Sequence, residues 1–475
     1  MKVYLINPDY MLYGNPPLGL AYLASYLRKE IPFLDIKILD QIPCREIITK
    51  IKQDRPDVVG LTAVSENWFK VKKLGKIIRN EVKNSKIIIG GVHLTSQPSC
   101  FKKSAFDYGI LGEGELPFAH LIKLIQNKNC DTNNLGKIKG ILFRQEGKVI
   151  NTGISEQIQN MDDLPPPALE LLNMQYYSIP HISSGLFKKS FHVLTSRGCP
   201  HNCKFCSSSC FWGRKIRFFS AERVVNEIEN LYRRHKFNKI NIGDDLFSIN
   251  EQRLKAIVEG LRKKCLLGKI EFSCCGRADS FSVPIVKKLK EMGVTEIFFG
   301  FESGSEKALK WLKGEGMSVE MNKKAIELCK QYEITPFGFF VIGSPYETLE
   351  DMKKTGDFIR AYCRTNFIIF QTIAYPGTEV WEYGIKNKII PEDMYERETR
   401  GFAAKDTRYL LTKEVSRENF EKVYNEIKNL NIKNDKSKII NNLKNIDLKN
   451  LKGFFKIIFI KKMWALRKRF FNKLR

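Results

Sequence analysis

Cys199-Pro200-His201-Asn202-Cys203-Lys204-Phe205-Cys206 places three thiols at Cys-x3-Cys-x2-Cys spacing, close enough for one loop to deliver all three to one centre. Thiolate is the usual protein ligand of iron–sulfur clusters, and a cubane held by three of them keeps its fourth iron open. Cys210, four residues on, is the one further thiol the loop offers in register for a fourth ligand. Structural zinc takes four tetrahedral ligands, usually in two Cys-x2-Cys-like pairs, and only His201 stands near enough to join a set. The spacing therefore points to a 4Fe-4S cluster on Cys199, Cys203 and Cys206 with one exchangeable site.

The flanks of this loop set its context. A β-rich run, Phe191 to Thr195, leads through a turn at Gly198 into the cysteines, and Ser220 is placed to cap the helix that follows. From 191 to about 395 short apolar runs alternate with long amphipathic segments, which predicts a parallel barrel or partial TIM barrel with its chemistry at the C-terminal ends of the strands. The strand-end loops carry Asp244 and Asp245 after Lys239–Gly243, Arg277 after Ile270–Cys275, and Glu302 and Ser303 after Glu296–Phe299. Two more follow, at Gly343–Thr348 and Tyr375–Thr378.

Upstream, residues 1–135 repeat the alternation with shorter elements and predict a Rossmann-like α/β module, whose ligands lie at the carboxyl ends of its strands. Its strand-end loops hold Pro17 and Gly19, then Thr62 and Ser65, then Gly90, Gly91 and His93, then Gly112, Glu113 and Gly114. No Gly-x-Gly-x-x-Gly opens the first helix, so a nicotinamide or flavin site is not favoured. Residues 136–190 read as a connector, with a strand at Ile138–Arg144, a turn at Gln145–Lys148, a return at Val149–Thr152 and an extended Pro165-Pro166-Pro167 brace. Residues 396–475 read as a helical, basic C-terminal region.

A cysteine loop of this spacing at the head of a barrel resembles the radical S-adenosylmethionine (SAM) superfamily, and the Rossmann-like module before it resembles that of the cobalamin-binding subfamily. The resemblance implies a 4Fe-4S cluster that cleaves SAM reductively to a 5′-deoxyadenosyl radical, with a corrin presented to the barrel. It further implies an electron donor such as flavodoxin or ferredoxin. Methylation of an unactivated carbon of a small-molecule or lipid-like substrate follows, as does the alternative of an anaerobic oxidative cyclase or rearrangement enzyme. SAM offers an ammonium, a carboxylate and a ribose, for which Asp244 and Asp245, Arg277, and Glu302 or Ser303 are the complements, with Phe205 beside the cluster. Pro17, Gly19, Thr62, Ser65, Gly90, Gly91, His93, Gly112, Glu113 and Gly114 become the expected cobalamin contacts. The Asp-x-His-x-x-Gly motif that supplies a lower axial histidine in other cobalamin proteins is absent, as it is in several members of this subfamily.

Composition bounds the remaining classes. At 475 residues and 43% hydrophobic, the chain can fill two or three domain cores. Its twelve cysteines lack the dense, even pattern of a small secreted framework, which predicts reduced thiols in a cytoplasm. The N-terminus, Met1–Pro8, reads as a strand and a turn and not as a cleavable leader. No cysteine follows Cys363, so no auxiliary cluster is expected beyond it. The net charge of +27 would suit a basic metal-knuckle nucleic-acid or membrane adaptor, but no zinc-finger or aromatic RNA-binding motif supports a nucleic-acid partner. Residues 453–475 contain no acid, and on a helix Phe455, Phe459, Met463, Leu466, Phe470 and Leu474 share one stripe, which predicts either an anionic membrane surface or the protein's own core as its partner.

Overall fold

The structure is a computed structural model that describes residues 1–8, 15–40, 42, 44–177, 190–397 and 409–444. The stretch 453–475 lies outside them. Runs rich in Ile and Val, buried on both faces, form parallel strands because β-branched side chains pack well on a pleated surface. Five such strands, β1 Lys2–Ile6, β2 Asp35–Leu39, β3 Val58–Thr62, β4 Lys86–Gly90 and β5 Tyr108–Ile110, pair in parallel in the order β2-β1-β3-β4-β5.

A hairpin, β6 Ile141–Gln145 and β7 Lys148–Asn151, adds antiparallel to the β5 edge, with Gly109 opposite Leu142 and Ile110 opposite Ile141. The two strands expected in a separate connector thus complete the first sheet and cover an edge that would otherwise be open.

The second sheet has six parallel strands in the order β15-β14-β13-β12-β11-β8: β8 Ser190–Val193, β11 Lys239–Ile242, β12 Glu271–Gly276, β13 Val294–Glu302, β14 Thr335–Ile342 and β15 Phe367–Gln371. It is a partial barrel, with β8 and β15 at its edges. Between β8 and β11 lies a short antiparallel pair, β9 Ser196–Arg197 and β10 Arg217–Phe218, which brackets the cysteine loop at its base. Gly198 enters that loop at φ +94, where a Cβ would come within 2.3 Å of the Lys215 carbonyl, so the turn requires glycine.

Helices cover the outer face in the expected manner. Ser220 caps the helix Ala221–Arg233 by accepting from the Arg223 amide, and Val224, Val225, Ile228 and Leu231 face the core. A helix at Arg417–Lys444 seats Phe420, Val423 and Ile427 against the barrel.

Both hydrophobic cores cross from one module to the other. One runs from Val3, Leu5 and Val58 through the helix Leu18–Glu30 to the barrel's outer face. The other joins Tyr4, Val59 and Ile89 to Ala374, Trp381, Met394 and Tyr395 from the far end of the barrel. The two sheets therefore behave as one packed body, with the strand ends of each turned toward the other.

Candidate active site

The cysteine loop lies across the barrel mouth, tied down on several sides. The Lys204 amide donates to the Leu312 carbonyl at 2.9 Å, and the Val380 amide donates to the Lys204 carbonyl at 3.2 Å. Arg277, at the end of β12, donates from Nη1 to the Cys203 sulfur at 3.1 Å. The three thiols are half-buried, and burial pushes Cys199 up and Cys206 up to about 12. Three neighbouring cysteines on one short loop are the donor set that an iron–sulfur cubane takes. Among the described residues no three His, Cys, Asp or Glu side chains come together tightly enough for a single metal ion. Cys210 is engaged elsewhere, its thiol donating to the Gly377 carbonyl at 2.9 Å.

The barrel residues expected at the mouth divide into two sets. Asp245 is exposed to water within the mouth and accepts from the Ser208 hydroxyl; its surroundings still raise its pKa through desolvation. Phe205 is half-buried and packs against the core shared by the two modules. Arg277 is near the cluster loop, but its Nε pairs with Asp279 at 2.8 Å, so the guanidinium is not free to fork onto a second carboxylate.

Asp244 turns inward, against the expectation. It accepts from the Thr195 amide at 2.6 Å and the Ser196 hydroxyl at 2.6 Å, as well as the Thr195 hydroxyl, and binds the end of β11 to the turn after β8. Ser303 is wholly buried, sharing a hydrogen bond with Thr355 at 3.0 Å and accepting from the Ser305 amide at 3.1 Å. Glu302, at φ +62, folds its carboxyl back over Gly300 and lies 3.8 Å from Lys313 Nζ. Successive residues at a strand end point to opposite faces, and so neighbouring Asp244 and Asp245 end in opposite roles.

The first module opens a cleft at its strand ends, floored by Leu5, Gly60, Leu61, Ile88 and Ile110 and rimmed by Gly19, Thr62, Gly90, Gly91, Gly112, Glu113 and Gly114. Gly91 sits at φ +103, where a Cβ would be 2.5 Å from the Ala63 carbonyl, so the rim there is bare backbone. An apolar floor with an amide rim fits a large, flat, mostly apolar cofactor such as a corrin. The cleft's opposite wall comes from the barrel: Leu194 and Arg197 just before the cysteines, and Phe211 and Trp212 just after Cys210.

Three expected rim residues are elsewhere. Pro17 precedes the first helix and its carbonyl accepts from Leu20 and Ala21. His93 is fully buried, with Nδ1 on the Ser65 hydroxyl at 3.0 Å and its ring between Trp68 and Tyr395. Burial pushes its pKa down to about 3, so it is a neutral core group. Neither Ser65 nor His93 lines the cleft.

Sequence reasoning missed Arg197, Arg217 and Glu115, which together with Glu113 lock the two modules. Arg197, two residues before Cys199, donates to Glu113 at 2.9 Å and to Glu115 at 2.7 Å. Arg217, on the paired strand β10, also forks onto Glu113. None of these four side chains is more than 6% exposed. Burial opposes the charge on Arg197, but Glu115 and Glu113 outweigh it and hold the guanidinium protonated. Arg197 also lies over the rings of Trp212 and Tyr22, at 5.2 and 5.5 Å. The Gly-Glu-Gly-Glu stretch and an arginine beside the cysteines were the available signals; their pairing needed the third dimension.

A parallel sheet with a strand-end cleft, facing a partial barrel closed by a three-cysteine loop, is the architecture of an enzyme that brings two cofactors to one chamber. Models of the radical SAM superfamily and of the B12 binding domain match residues 193–359 and 11–122. An uncharacterized methyltransferase of Pyrococcus horikoshii is 35% identical over 384 residues, covering 79% of this chain and 80% of its own. Among solved structures, OxsB with aqua-cobalamin and S-adenosylmethionine bound superposes with a TM-score of 0.70 at 22% identity, over 89% of this chain and 65% of that one. TsrM of Kitasatospora setae with cobalamin and a 4Fe-4S cluster gives 0.68 at 17%, over 82% and 75%. The chain belongs to the radical SAM superfamily, among the members that carry a B12-binding domain. It is a cobalamin-dependent, methyltransferase-like radical SAM enzyme that methylates or otherwise modifies a carbon, and its cofactors are a 4Fe-4S cluster, SAM and cobalamin.

Replacing Arg197 with Met keeps much of its length while leaving Glu115 and part of Glu113 buried without a cation. We expect a loss of about 3–5 kcal/mol in stability, read as a shifted urea midpoint. A loss under about 1 kcal/mol would mean that the pair is not the lock described here.

Proposed function

We propose that Cys199, Cys203 and Cys206 hold the cluster, that Asp245, Phe205 and the Arg277–Asp279 pair shape the SAM side of the mouth, and that the corrin lies on the rim formed by Gly19, Thr62, Gly90, Gly91, Gly112, Glu113 and Gly114. The reaction is methylation of an unactivated carbon of a small molecule. The observation that carries this reading is the shared wall, because the residues on either side of the cysteine loop, Arg197 and Trp212, are also the roof of the corrin cleft.

When bound, the cofactors supply the one-electron cleavage and the methyl group. The chain's own residues do the positioning. Arg277 sets Cys203 through its 3.1 Å hydrogen bond. Asp244 fixes the turn after β8 and so the entry to the loop. Leu194, Phe211 and Trp212 line the wall between the two sites with apolar surface and keep water from the chamber. With His93 closed inside the core on the Ser65 hydroxyl, its imidazole would not reach a corrin held in the cleft.

We place the first module at residues 1–151, since β6 and β7 belong to its sheet, the brace at 152–189, the barrel at 190–395 and the helical region beyond. A reductase such as flavodoxin or ferredoxin supplies the electron, and the enzyme works in the cytoplasm. Among the described residues no helix is long and apolar enough to cross a membrane. The acid-free stretch 453–475 is proposed to rest on an anionic membrane surface.

Alanine at Cys199, Cys203 or Cys206 should each abolish the cluster, whereas Cys210→Ala should leave it nearly intact. Anaerobic reconstitution with iron and sulfide counting decides this; a Cys206→Ala protein that kept a full cluster while Cys210→Ala lost it would overturn the assignment. Deleting 453–475 should end co-sedimentation with anionic vesicles and leave the cluster in place. Each Lys or Arg at such a surface contributes about 1 kcal/mol, so binding by the full chain should fall steeply with salt. If the full chain ignores these vesicles at low salt, the membrane reading is wrong.

A further inference from the structure

The six-stranded barrel presents two different halves to its lumen. Strand alternation puts Phe299, Phe301, Phe340, Ile342, Phe367 and Ile369 outward into the helix-packed core. The intervening residues of β13–β15, namely Phe298, Phe337, Phe339, Val341, Ile368 and Phe370, turn the other way. The rings of Phe298, Phe337 and Phe339 lie 5.5 to 5.8 Å apart, and Phe370 continues the row at 6.4 Å from Phe339. Register carries the same face across the edge, with Phe339 opposite Ile368 and Val341 opposite Phe370. Unlike the outward set, this wall is not sealed, and Ile368 and Phe370 are 38% and 40% exposed.

Facing it from β8, β11 and β12 is a polar set whose groups are already satisfied. The Ser273 hydroxyl donates to Asn241 at 2.6 Å, Asn241 contacts His192, and Lys239 pairs with Glu296 at 3.8 Å. Several charges near the mouth are similarly committed, while Asp245 keeps an exposed carboxylate there. Arg277 is on Asp279, Lys313 on Glu302, and Glu347 accepts from the Gly343 and Ser344 amides at 2.7 and 2.9 Å. Among the lumen-facing positions just named on β13–β15 no charged residue occurs. The cysteine loop spans this same opening, tied to β12 through Arg277 and Cys203 and to the loop after β15 through Cys210 and Gly377.

We propose that the aromatic wall of the lumen is the substrate site and that the substrate is a small molecule with an extended apolar carbon skeleton. This rests on the reading above that the barrel mouth under Cys199–Cys206 is the reacting end. A row of partly exposed aromatic side chains is retained where a ligand covers it, because leaving it wet forgoes the free energy of its burial. A phosphorylated substrate would need a free cation here, and the cations named around the wall, Lys239, Arg277 and Lys313, are each paired with a carboxylate. The wall instead suits a hydrocarbon skeleton, held by area and ring contacts with one unactivated carbon turned toward the mouth.

The test uses the full chain, anaerobically reconstituted, with the neutral hydrocarbon probe diphenylhexatriene, whose fluorescence rises in apolar sites. We expect saturable binding that weakens at least about tenfold in the Phe339→Ser, Phe370→Ser double variant. Phe339→Leu, which keeps the site apolar, should retain binding, as should Phe33→Ser on the opposite module's surface, where Phe33 is fully exposed. Absence of saturable binding to the wild type, or equal binding by the double-serine variant, overturns the proposal. Iron and corrin counts on the same samples separate the two layers: their loss in the wild type would contradict the cluster reading, whereas full counts with no probe binding would contradict only the substrate class.

Discussion

The seam between the two modules is built around four buried charges. Arg197 and Arg217 on one side and Glu113 and Glu115 on the other are shut away from water at the seam between the modules. Taking each such ion out of water costs several kcal/mol, and only near-complete pairing offsets it. The set is charge-balanced and multiply hydrogen-bonded. A buried network of this kind gives less stability than an apolar seam of equal volume could, but it tolerates one relative placement of the modules and few others. Since Arg197 lies two residues before Cys199 and lines the strand-end cleft together with Glu113, that placement also sets how the cysteine loop faces the cleft.

The aromatic content of the barrel supports the same economy of parts. On the outer face phenylalanines fill the helix-packed core; on the inner face the same residue type leaves a partly open wall. The polar groups of β8, β11 and β12 bond to one another and hold the other half of the lumen in shape.

Much of this was legible in the sequence because the relevant signals are local. The period-2 and period-3.6 alternation placed eleven parallel strands, the Cys-x3-Cys-x2-Cys loop and the strand-end loops, since each depends on a few neighbouring residues. What was not legible depends on direction at a strand end or on pairing across space. Asp244 and Asp245 are adjacent and chemically alike, yet one ties down a turn and the other faces the mouth. Ser303 and His93 have ligand chemistry but are consumed by buried partners. The hairpin at 141–151 has a clear local pattern, but its membership of the first sheet is set by an edge more than thirty residues earlier. Arg197 could not be assigned from sequence at all, because its partners lie over eighty residues upstream.

The central claim is that the first module holds a corrin on bare strand-end backbone, with no histidine beneath the metal and with the cysteine loop as its roof. The most direct measurement is the EPR spectrum of the Co(II) form bound to the full chain, prepared anaerobically. The account predicts bound corrin whose cobalt signal lacks nitrogen superhyperfine splitting. Clear splitting from an imidazole, or no corrin bound to protein that carries its full cluster, would contradict it.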